Sequence, residues 1–185
     1  VVQRHTPTRK EILAAEGRIV PDLIAPGLRV LFCGINPGLY SGAVGHHFAR
    51  PGNRFWPVIH ASGFTRRLLS PFEEHELLES GYGLTNIVER STAGARDLSR
   101  RELKEGARRL EAKVLHYRPR FVAFLGIGAY RTAFDLPGTV PGRQDRTIGR
   151  TAVWVLPSPS GLNAHYEFSR LVRIYSELHR AVEHE

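Results

Sequence analysis

Four short apolar runs, at residues 28–33, 84–88, 121–125 and 152–156, alternate with segments of helical spacing, and this alternation narrows the folds open to the chain more than any other feature. Each run has the length of a buried strand bounded by turn residues. Between the second and third, residues 99–117 set Leu103, Ala107, Leu110 and Val114 on one helical face behind a Ser99 cap, and Arg118-Pro119 ends the helix. Shorter helices are predicted at 54–62, 71–79 and 129–134, and a terminal amphipathic one at 168–182. The expected fold class is therefore α/β: a three-layer α/β/α sandwich around a central, mainly parallel four-stranded sheet. Ligands of such sheets bind beyond the carboxyl ends of the strands. The two most unusual turns, at 34–38 after the first run and 157–162 after the fourth, both fall there.

At 185 residues the chain suits one core that needs no staples. Residues 1–26 are polar and interrupted by Gly17 and Pro21, so they read as an N-terminal extension of open order before a single domain over 27–185. Basic residues outnumber acidic ones 26 to 18, a net charge of +8 that suits a polyanionic partner through phosphate neutralisation. Cys33 is the sole cysteine, which excludes intramolecular disulfides and cysteine-held clusters and fits a reducing compartment. No apolar run is long enough to span a membrane or to form a signal peptide's core, so no membrane association and a cytoplasmic, nucleoid-associated location are expected.

In Gly34-Ile35-Asn36-Pro37-Gly38 the glycines permit close backbone approach, while Pro37 biases Asn36 away from the helical region. An amide held this way can bind a water and donate to a ligand, but it cannot take a proton as a carboxylate does. Alone, the turn reads first as a device of geometry.

Two further segments give it a context: Gly45-His46-His47-Phe48-Ala49-Arg50-Pro51-Gly52-Asn53-Arg54-Phe55-Trp56 and Leu156-Pro157-Ser158-Pro159-Ser160-Gly161-Leu162. From about Ala25 to the terminal helix the chain resembles the mismatch-specific uracil and thymine DNA glycosylases of the uracil-DNA glycosylase superfamily. The stretch Gly83-Leu84-Thr85-Asn86-Ile87-Val88-Glu89-Arg90-Ser91-Thr92 is similar to the thymine branch. The resemblance implies a monofunctional base-excision-repair enzyme that hydrolyses the N-glycosidic bond of uracil, thymine or a modified pyrimidine mispaired with guanine by base flipping. Asn36 would position the water, Phe48 would stack on the flipped base, and main-chain groups of Ile35 and Phe48 would bond its polar edge. His47, Asn53, Asn86 and Thr92 complete the implied base pocket. Gly38, Ser41, Ser158, Ser160, Gly161 and Asn163 are implied DNA contacts, and Leu162 the wedge that fills the gap left by the flipped nucleotide.

The partner so implied is double-stranded DNA with U·G or T·G mispairs, single-stranded DNA being a second candidate, and one active site per monomer suffices. No cofactor is implied. The adjacent His46 and His47 lack further ligands, so no metal is expected. Asp97 is the nearest carboxylate and a candidate electrostatic helper, although it can equally cap the coming helix. The three lysines, Lys10, Lys104 and Lys113, lie away from the motifs, which argues against a Schiff-base lyase.

The chain also departs from the family's bacterial pattern. Asn163-Ala164-His165-Tyr166 replaces a stretch where an Arg often contacts the opposite base, and Ser158 stands where Asn is usual. A non-catalytic mismatch- or lesion-binding module on the same fold is the alternative. A nucleotide-binding protein built on Gly126-Ile127-Gly128 is a weaker one, since the full dinucleotide fingerprint is missing.

Overall fold

The computed structural model describes residues 6–185. Its strands are β1 (Val30–Gly34), β2 (Tyr82–Asn86), β3 (Phe121–Leu125), β4 (Gly142–Ile148) and β5 (Thr151–Leu156), in the order β2-β1-β3-β5-β4. The first four positions of that order pair in parallel, and β4 alone runs antiparallel, against β5. The sheet thus has five strands where the sequence reading expects four. The missed strand, Gly-Arg-Gln-Asp-Arg-Thr-Ile, carries no apolar run because it is the sheet's outer edge, where charged side chains discourage pairing with other chains.

Alternation along the strands divides the core in two. Val30, Phe32, Phe121, Ala123, Trp154 and Leu156 point to one face, covered by α3 (Phe55–Ala61) and α7 (Phe168–His184). Leu31, Cys33, Val122, Phe124, Val153 and Val155 point to the other, covered by α5 (Arg100–Tyr117) and α6 (Ile127–Phe134). The three-layer α/β/α sandwich follows from this two-sided burial. On α5 the buried residues are Leu103, Gly106, Ala107, Leu110 and Val114, behind a Ser99–Glu102 capping box.

The described part of the N-terminal extension is folded onto the domain. A five-residue helix, α1 (Arg9–Leu13), opens with a Thr8–Glu11 capping box. Beyond it Leu23 exchanges both backbone hydrogen bonds with Leu84, at 2.9 and 2.7 Å, and so covers the outer side of β2. The Asp22 carboxylate accepts from Thr85 Oγ1 and pairs with Lys113 of α5. Two more short helices, α2 (Leu39–Val44) and α4 (Glu76–Glu79), lie between the early strands.

Candidate active site

The ends of β1, β2, β3 and β5 open into a cleft of about 170 Å³. The turn after β1 is zipped to the segment after β2: Ile87 N–H donates to Gly34 O, Val88 N–H to Ile35 O and Thr92 N–H to Pro37 O. Gly34 is required here by close approach, since a Cβ on it would lie 2.5 Å from Asn86 Oδ1 and 3.2 Å from Phe48 Cζ.

Asn36 sits half-buried at the centre of this turn. Its Nδ2 donates to Pro37 O at 3.2 Å, Arg90 O at 3.1 Å and Thr92 Oγ1 at 2.8 Å. Thr92 in turn gives its own hydroxyl proton to Gly94 O, so its oxygen can only accept from Asn36. These acceptors fix which end of the amide is NH2. Oδ1 receives no donor among the described residues, and Asn36 lines the cleft. The Arg90 carbonyl is braced from behind, because Arg90 Nε bonds Glu102 Oε1 at 2.6 Å. That bond, and then the Ser99 N–H, hold the Glu102 carboxyl down at about 2.

The Phe48 ring is backed by Phe55, with centroids 4.1 Å apart and planes 21° off parallel, and it forms part of the cleft wall. Its φ of 53° lies in the left-handed region, which costs a side chain about 1–2 kcal/mol. Bonds on both sides hold it there. Glu74 accepts from His47 N–H and joins His46 Nδ1, both at 2.9 Å, and Ser41 Oγ accepts from Ala49 N–H at 3.0 Å. The amide nitrogens of Ile35 and Phe48 donate to no other group among the described residues, while the Ile35 carbonyl is engaged by Val88.

Asn86 and His47 are buried together, Nδ2 to Nδ1 at 3.5 Å, and His47 Nε2 lies 2.9 Å from Pro21 O. Burial lowers the His47 pKa against the opposing pull of Glu74. Asn53 lines the cleft but its Oδ1 accepts from the N–H of Phe55, the first residue of α3. Gly38, exposed at the start of α2, and the buried Ser41 both belong to the cleft lining.

The loop after β5 turns on its own serines. Ser158 Oγ accepts from Ser160 N–H, Ser160 Oγ from Leu162 N–H, and Asn163 Nδ2 donates to Ser158 O. Gly161 is packed against Gly52, and Leu162 stands 72% exposed at the cleft rim. Large exposed apolar side chains at a cleft edge suit insertion into a partner.

What holds this loop is Arg54, to which the sequence reading assigns no role. Its guanidinium donates to the carbonyls of Tyr166 (2.6 Å), Ser160 (2.7 Å), Asn163 (2.9 Å) and Pro159 (3.3 Å). The residue lies inside a quoted motif, but only the fold reveals a loop more than a hundred positions away. Asp97 stands apart from the cleft lining: it is exposed, and its Oδ2 accepts from Gly94 N–H, closing its own 3₁₀ turn. No cluster of three or more candidate metal ligands exists among the described residues.

Residues 21–179 match the family model described as the uracil DNA glycosylase superfamily. The fold matches the solution NMR structure of a Methanosarcina acetivorans protein described as a candidate uracil DNA glycosylase, with a TM-score of 0.62 over 91% of this chain and 99% of that one. The two sequences are 22% identical, so that likeness speaks for the fold.

Proposed function

Since this chain belongs to the uracil DNA glycosylase superfamily, we propose that it is a monofunctional glycosylase that flips uracil, or thymine, mispaired with guanine out of duplex DNA and hydrolyses its N-glycosidic bond. The observation that carries the reading is the Asn36 amide in the cleft lining: three acceptors hold its Nδ2, and Oδ1, with no donor among the described residues, is left to accept from water.

In this reading the bond from C1′ to the base nitrogen N1 breaks first and N1 keeps the electron pair. The Ile35 and Phe48 N–H groups stabilise the charge growing on the departing base. Water held by Asn36 Oδ1 then adds to C1′ of the cationic sugar and releases its proton to solvent, leaving an abasic site. Phe48 supplies a stacking face, and Leu162 fills the space the nucleotide vacates, offsetting an unstacking cost of a few kcal/mol. Lys104 is paired with Asp135 and Lys113 with Asp22, and neither they nor Lys10 lines the cleft, which supports hydrolysis without a Schiff base.

The test is incubation with duplexes carrying U·G, T·G or U·A and with single-stranded U, followed by alkaline cleavage of abasic sites. Strand breaks at U·G are expected. None on any substrate would leave only the binding-module reading. Asn36→Ala should lose about a hundredfold or more in single-turnover rate while DNA affinity stays near that of the parent. Equal rates would remove Asn36 from the mechanism.

A further inference from the structure

His47 is 2% exposed, and its Nε2 lies 2.9 Å from the Pro21 carbonyl oxygen. A carbonyl only accepts, so Nε2 carries the proton. In the neutral ring, the form burial favours, Nδ1 is then a bare acceptor. The group facing Nδ1 is the Asn86 amide, and only its NH2 end can answer an acceptor. Oδ1 is thereby turned toward Gly34 and the cleft, as the 2.5 Å separation from a Cβ built on Gly34 shows.

We propose that His47 is a positioning residue for base choice: its Nε2–H tautomer, set by Pro21, holds the Asn86 amide so that the cleft accepts a pyrimidine with a hydrogen on N3 and rejects cytosine. The inference rests on the glycosylase reading above and names the device that sets its substrate class. Uracil and thymine present an N3–H donor beside the O4 acceptor, which match Asn86 Oδ1 and the second N–H of Nδ2. Cytosine presents an N3 acceptor beside an N4–H2 donor and needs the reversed amide. Reversal would set Asn86 Oδ1 against the Nδ1 lone pair, two acceptors with no proton between them.

The device reaches into the N-terminal extension. Pro21 is followed by Asp22, which accepts from Thr85 Oγ1 at 2.7 Å and pairs with Lys113, and Leu23 is bonded to Leu84 two positions from Asn86. A segment outside the motifs thus fixes the proton on a histidine inside them.

Nitrogen-15 NMR of the histidine rings in the free protein reads the tautomer without turnover. His47 should appear as Nε2–H with Nδ1 unprotonated; an Nδ1–H tautomer overturns the proposal. Selectivity is read by single-turnover excision of U or C, each opposite a tetrahydrofuran abasic analogue so that pairing strength does not differ. Sites built to hydrogen-bond their substrate reject analogues by about 10⁴-fold or more, and a ratio of that order is expected for U over C. His47→Leu removes the acceptor and should lower the ratio at least about tenfold. His47→Gln, which offers Oε1 to Asn86 and Nε2 to Pro21, should restore most of it. A folded Leu variant with the parent ratio overturns the proposal, and if that variant does not fold, a Gln variant with no preference does. Should neither base be excised by the parent, the glycosylase reading fails by itself. The tautomer, and titration of free uracil against free cytosine, then decide the positioning role separately.

Discussion

Replacing Arg54 by methionine keeps the length of the side chain's stem and removes only the fork that holds the loop after β5. Its three short bonds, at 2.6, 2.7 and 2.9 Å to Tyr166, Ser160 and Asn163, each join a full charge to a carbonyl. Hydrogen bonds to charged groups are worth about 1.5–3 kcal/mol apiece. The loop is open to water on its outer side, where Gly161 and Leu162 are exposed, so the released carbonyls can rehydrate and each bond counts for less than that range. Discounted to about 1 kcal/mol per bond, the loss is about 3 kcal/mol in the order of the loop, or about a hundredfold in the population that presents Leu162 correctly. Excision of uracil from U·G duplex should fall by that factor in kcat/KM, with protease sensitivity appearing over residues 158–166. Arg54→Lys should rescue little, because an ammonium cannot span carbonyls arranged for a planar fork. An Arg54→Met protein with parental kcat/KM and an uncut loop would refute the claim that this clamp presents the wedge.

Gly34→Ala should cost about 1–3 kcal/mol of stability, read by thermal melting. It should also lower excision at least about tenfold, because Asn86 Oδ1 must leave the position 2.5 Å from the new methyl; parental kinetics would contradict the close-approach argument. Excision and uracil preference should both decline on acidification, at a midpoint below the ordinary histidine value of about 6.5, because protonation turns His47 Nδ1 from acceptor to donor. Burial sets this direction against the carboxylates of Glu74 and Asp22, with His46 adding to it. With the folded pKa depressed, the matching stability is fully present above about 6.5 and is lost as pH falls through the folded value. Identical pH profiles for the parent and His47→Gln would assign the decline to another group.

The sheet was legible wherever burial writes itself into the residues. β1, β3 and β5 are apolar on both faces because helices cover both, and their presence, though not their order in the sheet, could be read from the runs alone. β4 escaped since an edge strand alternates half-buried and exposed polar side chains and so looks like a loop. In the site, Asn36, Phe48 and Leu162 could be singled out only because their segments resemble a known family, and the fold brings the three to one cleft. Their supports were not legible: Asn36 is held by Arg90 O and Thr92 Oγ1, 54 and 56 positions away, and His47 by Pro21 O, 26 away. A backbone carbonyl leaves no trace in residue type, so a site held by carbonyls is only half written in its sequence.

The same supports decide where catalytic power has to come from. An amide at position 36 can orient water and cannot take its proton, and among the described residues no carboxylate lines the cleft: Asp97 closes its own turn, and Glu74 is engaged by His46 and His47. A water that gains so little basic help attacks usefully only a sugar from which the base has nearly gone. In the proposed reaction the barrier therefore falls mainly by stabilising the leaving anion, and the main-chain donors proposed for that are the Ile35 and Phe48 amides. The Phe48 amide is aimed by a left-handed residue that would relax by about 1–2 kcal/mol if the backbone turned over. Glu74 and Ser41, which hold the residues on either side of Phe48, are thus placed to act on the chemical step by keeping that backbone from turning.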